Sequence, residues 1–349
     1  MKSINSTENL IFIELFRGIF AFGVVCVHGS SNFKSNLLDK LLVEYIFIYA
    51  VPFFIFASLF FNLNSAKSNN FNKFNNSKIK RLVLPYLIWS FIYFISRYSI
   101  GRIQFNFDSI IKSVFLGAAA VQLYFIPLIY IALILLFLIQ KVTVNWKIKS
   151  LSIGFLISLI TYYILICTGN SFQLNSSIAF EKMLKNFNLE WIYLNPFLNV
   201  ILVYISFSIR SLPYSFAAII FYRLQENKRI IEIFSNKFIL FLLIFLFLTL
   251  NIFKIDAVSE VVLGILFFIF PSIISNKFKV DDITKYIFLI LGSTSYSVYL
   301  CHHLLIQLFT KLHLLPSIDL ISASIGITIL SIVIIIYFRR YKKLNFIFP

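Results

Sequence analysis

Charged side chains make up only 13% of this sequence, and the shortage falls mainly on one sign: 14 acidic residues stand against 31 lysines and arginines. A soluble domain carries about 25% charge, so a water-facing globule of this size is excluded. Cysteine is almost missing. The three present, Cys26, Cys167 and Cys301, all fall inside apolar runs, which argues against a disulfide framework and leaves the redox compartment unread. No hydrophilic stretch exceeds about twenty residues, so the 349-residue chain reads as a single membrane domain over 1–349, with no appended soluble domain. There is no internal repeat, which disfavours the duplicated architecture of many secondary transporters. A glycine-rich phosphate loop is also absent.

What the chain has in quantity is apolar surface: 60% hydrophobic residues and a mean hydropathy of +0.89. Apolar segments long enough, or nearly so, to cross a bilayer fall near 10–28, 41–63, 83–100, 120–140, 149–169, 196–222, 238–254, 257–275, 286–310 and 318–338. The expected fold class is therefore an all-α polytopic membrane protein with about ten transmembrane helices. The 196–222 segment carries Arg210 and Pro213 and reads as a broken helix, with Arg210 at an interface. The first span is not read as a cleaved signal peptide, because Glu14 and Arg17 interrupt it and no small-x-small site follows Val27.

A net charge of +17 raises nucleic acid as a partner, but its distribution excludes that reading. Lysines and arginines crowd alternate connections, 64–82, 141–148, 223–237 and 276–285, and the C-terminal Arg339, Arg340, Lys342 and Lys343. The intervening loops hold few. This is the positive-inside pattern, with both termini cytoplasmic. The Asn/Ser-rich run Asn62–Ser77 reads as a flexible cytoplasmic loop.

Chemistry has three candidate seats. In the first span, Arg17 and His28 stand eleven residues apart. Eleven helical steps are three turns plus roughly 20°, so the two side chains share a face about 16 Å apart. A guanidinium at membrane depth belongs against a bundle interior or a wet passage. Glu14, one turn earlier, is its natural counter-charge. A buried ion pair that merely fixes helix packing is the alternative. In the ninth span, Ser295, Tyr299 and His302 fall at i, i+4 and i+7 and form one polar stripe. Imidazoles and a phenol suit proton transfer, and equally suit interhelical hydrogen bonding. At the mouth of the third span, Lys78, Lys80 and Arg81 suit the phosphates of a soluble donor, or lipid headgroups. Asp256 and Glu260, at the start of the eighth span, are possible carboxylate partners for His302. A metal site from Cys26, His28, Cys301 and His302 has no supporting ligand spacing, and none is expected.

Together these pieces resemble the membrane-bound acyltransferase family 3, the integral O-acyltransferases that modify bacterial surface glycans. The resemblance runs in order from residue 14 to residue 302. Glu14, Arg17-Gly18 and His28 match the first-span pattern, and Val51-Pro52-Phe53-Phe54 the second. Lys78 to Tyr86 is similar to the basic entry followed by Pro-Tyr, and Tyr124-Phe125-Ile126-Pro127-Leu128 to the fourth-span motif. Ser295 to His302 matches the late Ser-Tyr-x-x-Tyr-Leu-x-His. The chain departs from the family at Lys78, where an arginine is common, and at Gln122 and Tyr124, where His and Trp are common. Lysine binds phosphate but lacks the bidentate fork.

The resemblance implies an acyltransferase of the cell (inner or plasma) membrane, using cytoplasmic acyl-CoA, expected to be acetyl-CoA, as donor substrate and no resident cofactor. The acceptor it implies is a hydroxyl of a cell-envelope glycan or lipid-linked saccharide. Lys78, Arg81 and Arg17 would offset the CoA phosphates. His28 would be the general base, Glu14 would orient Arg17, and Tyr299 and His302 would hold the reacting carbonyl or the acceptor. The alternative class is a flippase for a lipid-linked glycan, or an exporter.

Overall fold

The computed structural model describes residues 7–66, 70–168, 178–224, 245–246, 249–250, 256–275, 278, 280–311, 318–341 and 346–349. The principal helices are, in chain order, α1 (Thr7–Gly29), α2 (Leu37–Tyr45), α3 (Ala50–Ala66), α4 (Phe71–Lys78), α5 (Leu84–Ser99), α6 (Phe107–Leu116), α7 (Phe125–Val142) and α8 (Ile148–Cys167). They continue with α9 (Glu181–Asn186), α10 (Trp191–Leu194), α11 (Pro196–Leu224), α12 (Asp256–Ile274), α13 (Asp282–Lys311) and α14 (Leu320–Arg339). Among the described residues no strand forms, only an isolated bridge between Lys34 and Asp319. The protein is an all-α polytopic membrane protein. Among the described residues, eight helices are long and apolar enough to cross a bilayer, and Ala257–Pro271 is a shorter apolar helix. The expected span at 238–254 lies almost wholly outside the described residues.

The lipid-facing surface is legible in α5. Tyr86, Trp89, Ser90, Tyr93 and Phe94 are buried, at helical spacing, while Leu87, Phe91, Ile95 and Tyr98 are exposed. In water those four would be a liability; in hydrocarbon they are the solvated face. On α8, Ile153, Leu156, Ile157 and Ile160 are exposed in the same way.

The helices gather into two compact units. Unit 1 comprises residues 1–54, 224–254 and 262–349, and unit 2 comprises 55–223 and 255–261. In unit 1, α1, α13 and α14 pack against one another. Helices α1 and α13 run parallel, because Glu14 lies at Gly292 and, further along both helices, His28 lies at His302. The approach is close. A Cβ on Gly292 would stand 2.6 Å from Glu14 Cβ, and one on Gly18 would stand 2.6 Å from Leu291 Cβ. With no hydrophobic effect to drive helix association in lipid, such backbone proximity is what makes packing effective. Beside them, Phe20 stacks on Phe53 at 4.5 Å and meets Phe267 edge-on at 5.0 Å.

Unit 2 ties its helix ends with polar side chains. Tyr86 Oη donates to the carbonyls of Ser113 (3.1 Å) and Val114 (2.8 Å), and Tyr204 Oη donates to that of Phe115 (3.0 Å). These are the last carbonyls of α6, which lack intrahelical donors.

Two expectations need correction here. The run Asn62–Ser77 is not a flexible loop throughout: α3 continues to Ala66, and α4 begins at Phe71. Asn70 caps α4, its Oδ1 accepting from the Lys73 amide at 2.9 Å. Phe71 and Phe74 both pack on Phe137, each at 5.2 Å. That aromatic seat outweighs the poor helix propensity of the asparagines. The second correction concerns α11, which passes unbroken through Pro213. Proline removes one amide donor from the helix. The carbonyl left without its donor is that of Ile209; the serines on either side bond to other carbonyls, Ser211 Oγ to Phe207 O (2.6 Å) and Ser215 Oγ to Ser211 O (3.0 Å), and the helix runs on through a single missing bond.

Candidate active site

In unit 1 the first polar feature is the ion pair on α1. Arg17 Nη1 donates to both carboxylate oxygens of Glu14, at 2.7 and 2.9 Å. The side chains are 28% and 21% exposed, so neither charge is sealed in. The Glu14 carboxylate rests where Gly292 has no side chain, so α13 provides its seat.

Three turns further along α1 stands His28. The helix end there is closed by Ser30 Oγ on the Val27 carbonyl (2.8 Å) and by Asn32 Nδ2 on the His28 carbonyl (3.3 Å), which fixes the backbone carrying the imidazole. Its ring lies 5.3 Å from that of His302 and 5.8 Å from that of His303. Tyr299 flanks the group, 6.0 Å from His302. His302 is fully buried, whereas His28 and His303 are half-buried. The His302 Nδ1 lies 3.0 Å from the Val298 carbonyl. A carbonyl can only accept, so Nδ1 carries the proton and Nε2 presents a lone pair.

The structure thus brings together His28, His302 and Tyr299. Glu14 lies against α13 at Gly292 with Arg17 paired to it, and by helical rise Arg17 sits about 16 Å and Glu14 about 21 Å along the axis from His28. Ser295 does not join the cluster through its hydroxyl, which donates to the Gly292 carbonyl at 2.6 Å. His303 has no counterpart among the expected site residues. Consecutive residues on a helix point about 100° apart, so stripe-reading assigns only one of a His-His pair. A ring entering from α1 between the two meets both. Two adjacent histidines in mid-span were the signal. Among the described residues, no group of three or more His, Cys, Asp or Glu is placed to hold a metal.

Unit 2 holds the other expected residues. Lys78 and Arg81 flank and occupy a π-helical turn, Ile79–Val83, immediately before Pro85. Pro85 cannot donate to the Arg81 carbonyl and crowds it, which accounts for the widened turn. Lys78 is buried, its ammonium donating to Asn62 Oδ1 and standing 5.1 Å from the Phe74 ring centre. Arg81 is exposed.

Arg210 is not an interface cation beside a break. It is 4% exposed and donates to Glu260 Oε2 at 3.1 Å, and Tyr162 Oη donates to the same oxygen at 2.6 Å. Glu260 is therefore a partner of Arg210, while the side chain of Asp256 lies outside the description. Gln122 is buried in the same unit.

A polytopic helical fold with imidazoles gathered on parallel helices, and no soluble domain among the described residues, defines a membrane-embedded protein whose chemistry must be carried by its spans. The family model for an acyltransferase domain matches residues 10–340, and the chain belongs to that family, acyltransferase family 3. It is an acyl-transfer enzyme with multiple membrane spans. Neither the curated proteins nor the solved structures contain a match to it.

Proposed function

We propose that this enzyme moves an acyl group, acetyl in the first instance, from acyl-CoA to a hydroxyl of a cell-envelope glycan or lipid-linked saccharide at the plasma membrane. The observation that carries this reading is the half-buried His28 imidazole, held beside two further imidazoles in a chain of acyltransferase family 3. In the proposed step His28 takes the acceptor hydroxyl proton as the oxygen attacks the thioester carbonyl. The C–O bond forms and the C–S bond breaks. The CoA sulfur then receives the proton from the imidazolium, leaving His28 neutral for the next turnover. Tyr299 is assigned to the reacting carbonyl, where a donor stabilises the developing oxyanion. Arg81 and Lys78 are assigned to CoA phosphates, Arg81 as the exposed fork and Lys78 through the donors that Asn62 does not use. Arg17 is assigned to the donor as well, with Glu14 orienting it through two contacts.

The test uses the full chain reconstituted in lipid with radiolabelled acetyl-CoA and an envelope glycan fraction. Label should become stably attached to glycan, and His28→Ala should abolish transfer while the protein stays inserted. Retention of transfer by His28→Ala removes the general-base assignment. Passage of glycan across the bilayer without covalent change would instead make the protein a transporter.

A further inference from the structure

The His302 ring is the least explained polar group in unit 1. It is 0% exposed, its Nδ1–H is spent on the Val298 carbonyl at 3.0 Å, and its Nε2 is buried with no hydrogen-bond partner among the described residues. An orphaned ring nitrogen in an enclosed site has lost its hydration without gaining a bond in return, so its persistence needs a reason. In this tautomer the ring has no N–H left for a substrate carbonyl. It can only accept.

The ring nearest to it among those described is His28, with centroids 5.3 Å apart and planes inclined by 32°. An in-line N–H···N bond of about 2.9 Å sets two imidazole centroids roughly 5.2 Å apart. The observed spacing therefore matches the centroid separation that a hydrogen bond between the two rings requires. Bonds of this kind are commonly long or misaligned before substrate is bound and close in the reacting complex. Helices α1 and α13 are held against drifting apart by Gly18 and Gly292, which keep them in near-contact about three turns away.

We infer that His302 is a positioning residue that fixes the tautomer of His28: its Nε2 accepts the N–H from one nitrogen of His28, so that the other nitrogen of His28 presents its lone pair to the acceptor hydroxyl. The chain of donation runs from His28 N–H to His302 Nε2, and from His302 Nδ1–H to the Val298 carbonyl. His302, itself anchored by the Val298 carbonyl, thereby plays the part that a carboxylate plays behind the base in a hydrolase triad. No bond to His302 is made or broken during transfer, and it holds no proton from the reaction. A neutral orienter suits a buried site, where an unpaired carboxylate would be costly.

The inference rests on His28 being the base, and the experiment separates the two. Transfer from acetyl-CoA is measured for the full chain and for His28→Ala, His302→Phe and His302→Gln, each verified as monodisperse in detergent. Phenylalanine keeps the ring and removes the acceptor; glutamine keeps an acceptor near the place of Nε2 and cannot act as acid, base or acyl carrier. The expected result is loss of kcat by roughly 100-fold or more in His302→Phe, with KM for acetyl-CoA unchanged and activity largely restored in His302→Gln. Activity kept by phenylalanine, whatever glutamine does, means the ring is packing only and overturns the inference. Should both substitutions fall alike or fail to fold, nitrogen NMR of the ¹⁵N-histidine-labelled wild type in bilayers, with a non-transferable S-alkyl-CoA thioether bound, decides. A His302 Nε2 lone pair coupled to a His28 N–H sustains the assignment, and a protonated Nε2 overturns it. Full activity of His28→Ala would instead sink the parent reading.

Discussion

Arg210 shows how differently a cation in a membrane span is treated when it is paired. Its guanidinium is almost wholly enclosed, with Glu260 and Tyr162 converging at one carboxylate oxygen. Removing one member of such a group leaves the other charge uncompensated, at a cost of about 3–5 kcal/mol for a fully buried pair; Glu260, 30% exposed, lowers that figure. Arg210→Met or Glu260→Leu alone should therefore lower the thermal midpoint of the purified protein sharply. The double substitution should recover a large part of the loss, which a double-mutant cycle read by thermal unfolding would measure. At the other polar locus of unit 2 the expectation is kinetic. Arg81 is exposed and offers a bidentate fork, so Arg81→Ala should raise KM for acyl-CoA by about 10-fold with little change in stability. Steady-state kinetics at saturating acceptor would check it. Arg17 and His28 were legible as residues because their spacing places them on one flank without any knowledge of the rest. His303 was not, since its role depends on what α1 inserts between it and His302.

Among the elements, α1 and α13 depend on two residues that contribute nothing but space. Gly292→Ala would drive a methyl into the Glu14 side chain, against Oε2 and 2.6 Å from Cβ. Overpacking of this kind costs typically about 1–3 kcal/mol, and here it also displaces the carboxylate that orients Arg17. The variant should lose thermal stability and acyl transfer together, whereas Glu14→Gln should lose transfer with a smaller fall in midpoint. The start of α14 gives a pH-dependent case outside the membrane. Asp319 caps the helix, its carboxylate accepting from the Ser322 amide at 2.9 Å, and this bond, with a further one from the Ser322 side chain, holds its pKa below the ordinary aspartate value. A folded-state pKa that is depressed contributes stability above the unfolded value and loses it as pH falls through the folded one. Asp319→Asn, which keeps a capping oxygen, should flatten this acid-limb loss without weakening the helix at neutral pH. Amide exchange at Ser322 as a function of pH would show it. The helix α4 was hidden in the sequence for a related reason. Its asparagines read as loop, and only the seat of Phe71 and Phe74 on Phe137 makes the segment helical.

On the scale of the molecule, the shortage of charge settled the solvent before any element was placed. A chain with 13% charged residues cannot clothe its surface in water, and the exposed leucines, isoleucines and phenylalanines of α5 and α8 are the surface that results. The described residues fall into two units, while one family match covers 10–340. The sequence by itself determined the helical class and the approximate spans, because hydropathy and helical periodicity are local properties that no tertiary contact has to supply. Tertiary structure alone decided that His303 joins His28, that Glu260 belongs to Arg210, and that Pro213 leaves α11 whole. Each of those depends on which face of one helix meets another, and in lipid that choice is made by close packing and polar pairing, for which linear spacing carries no signal.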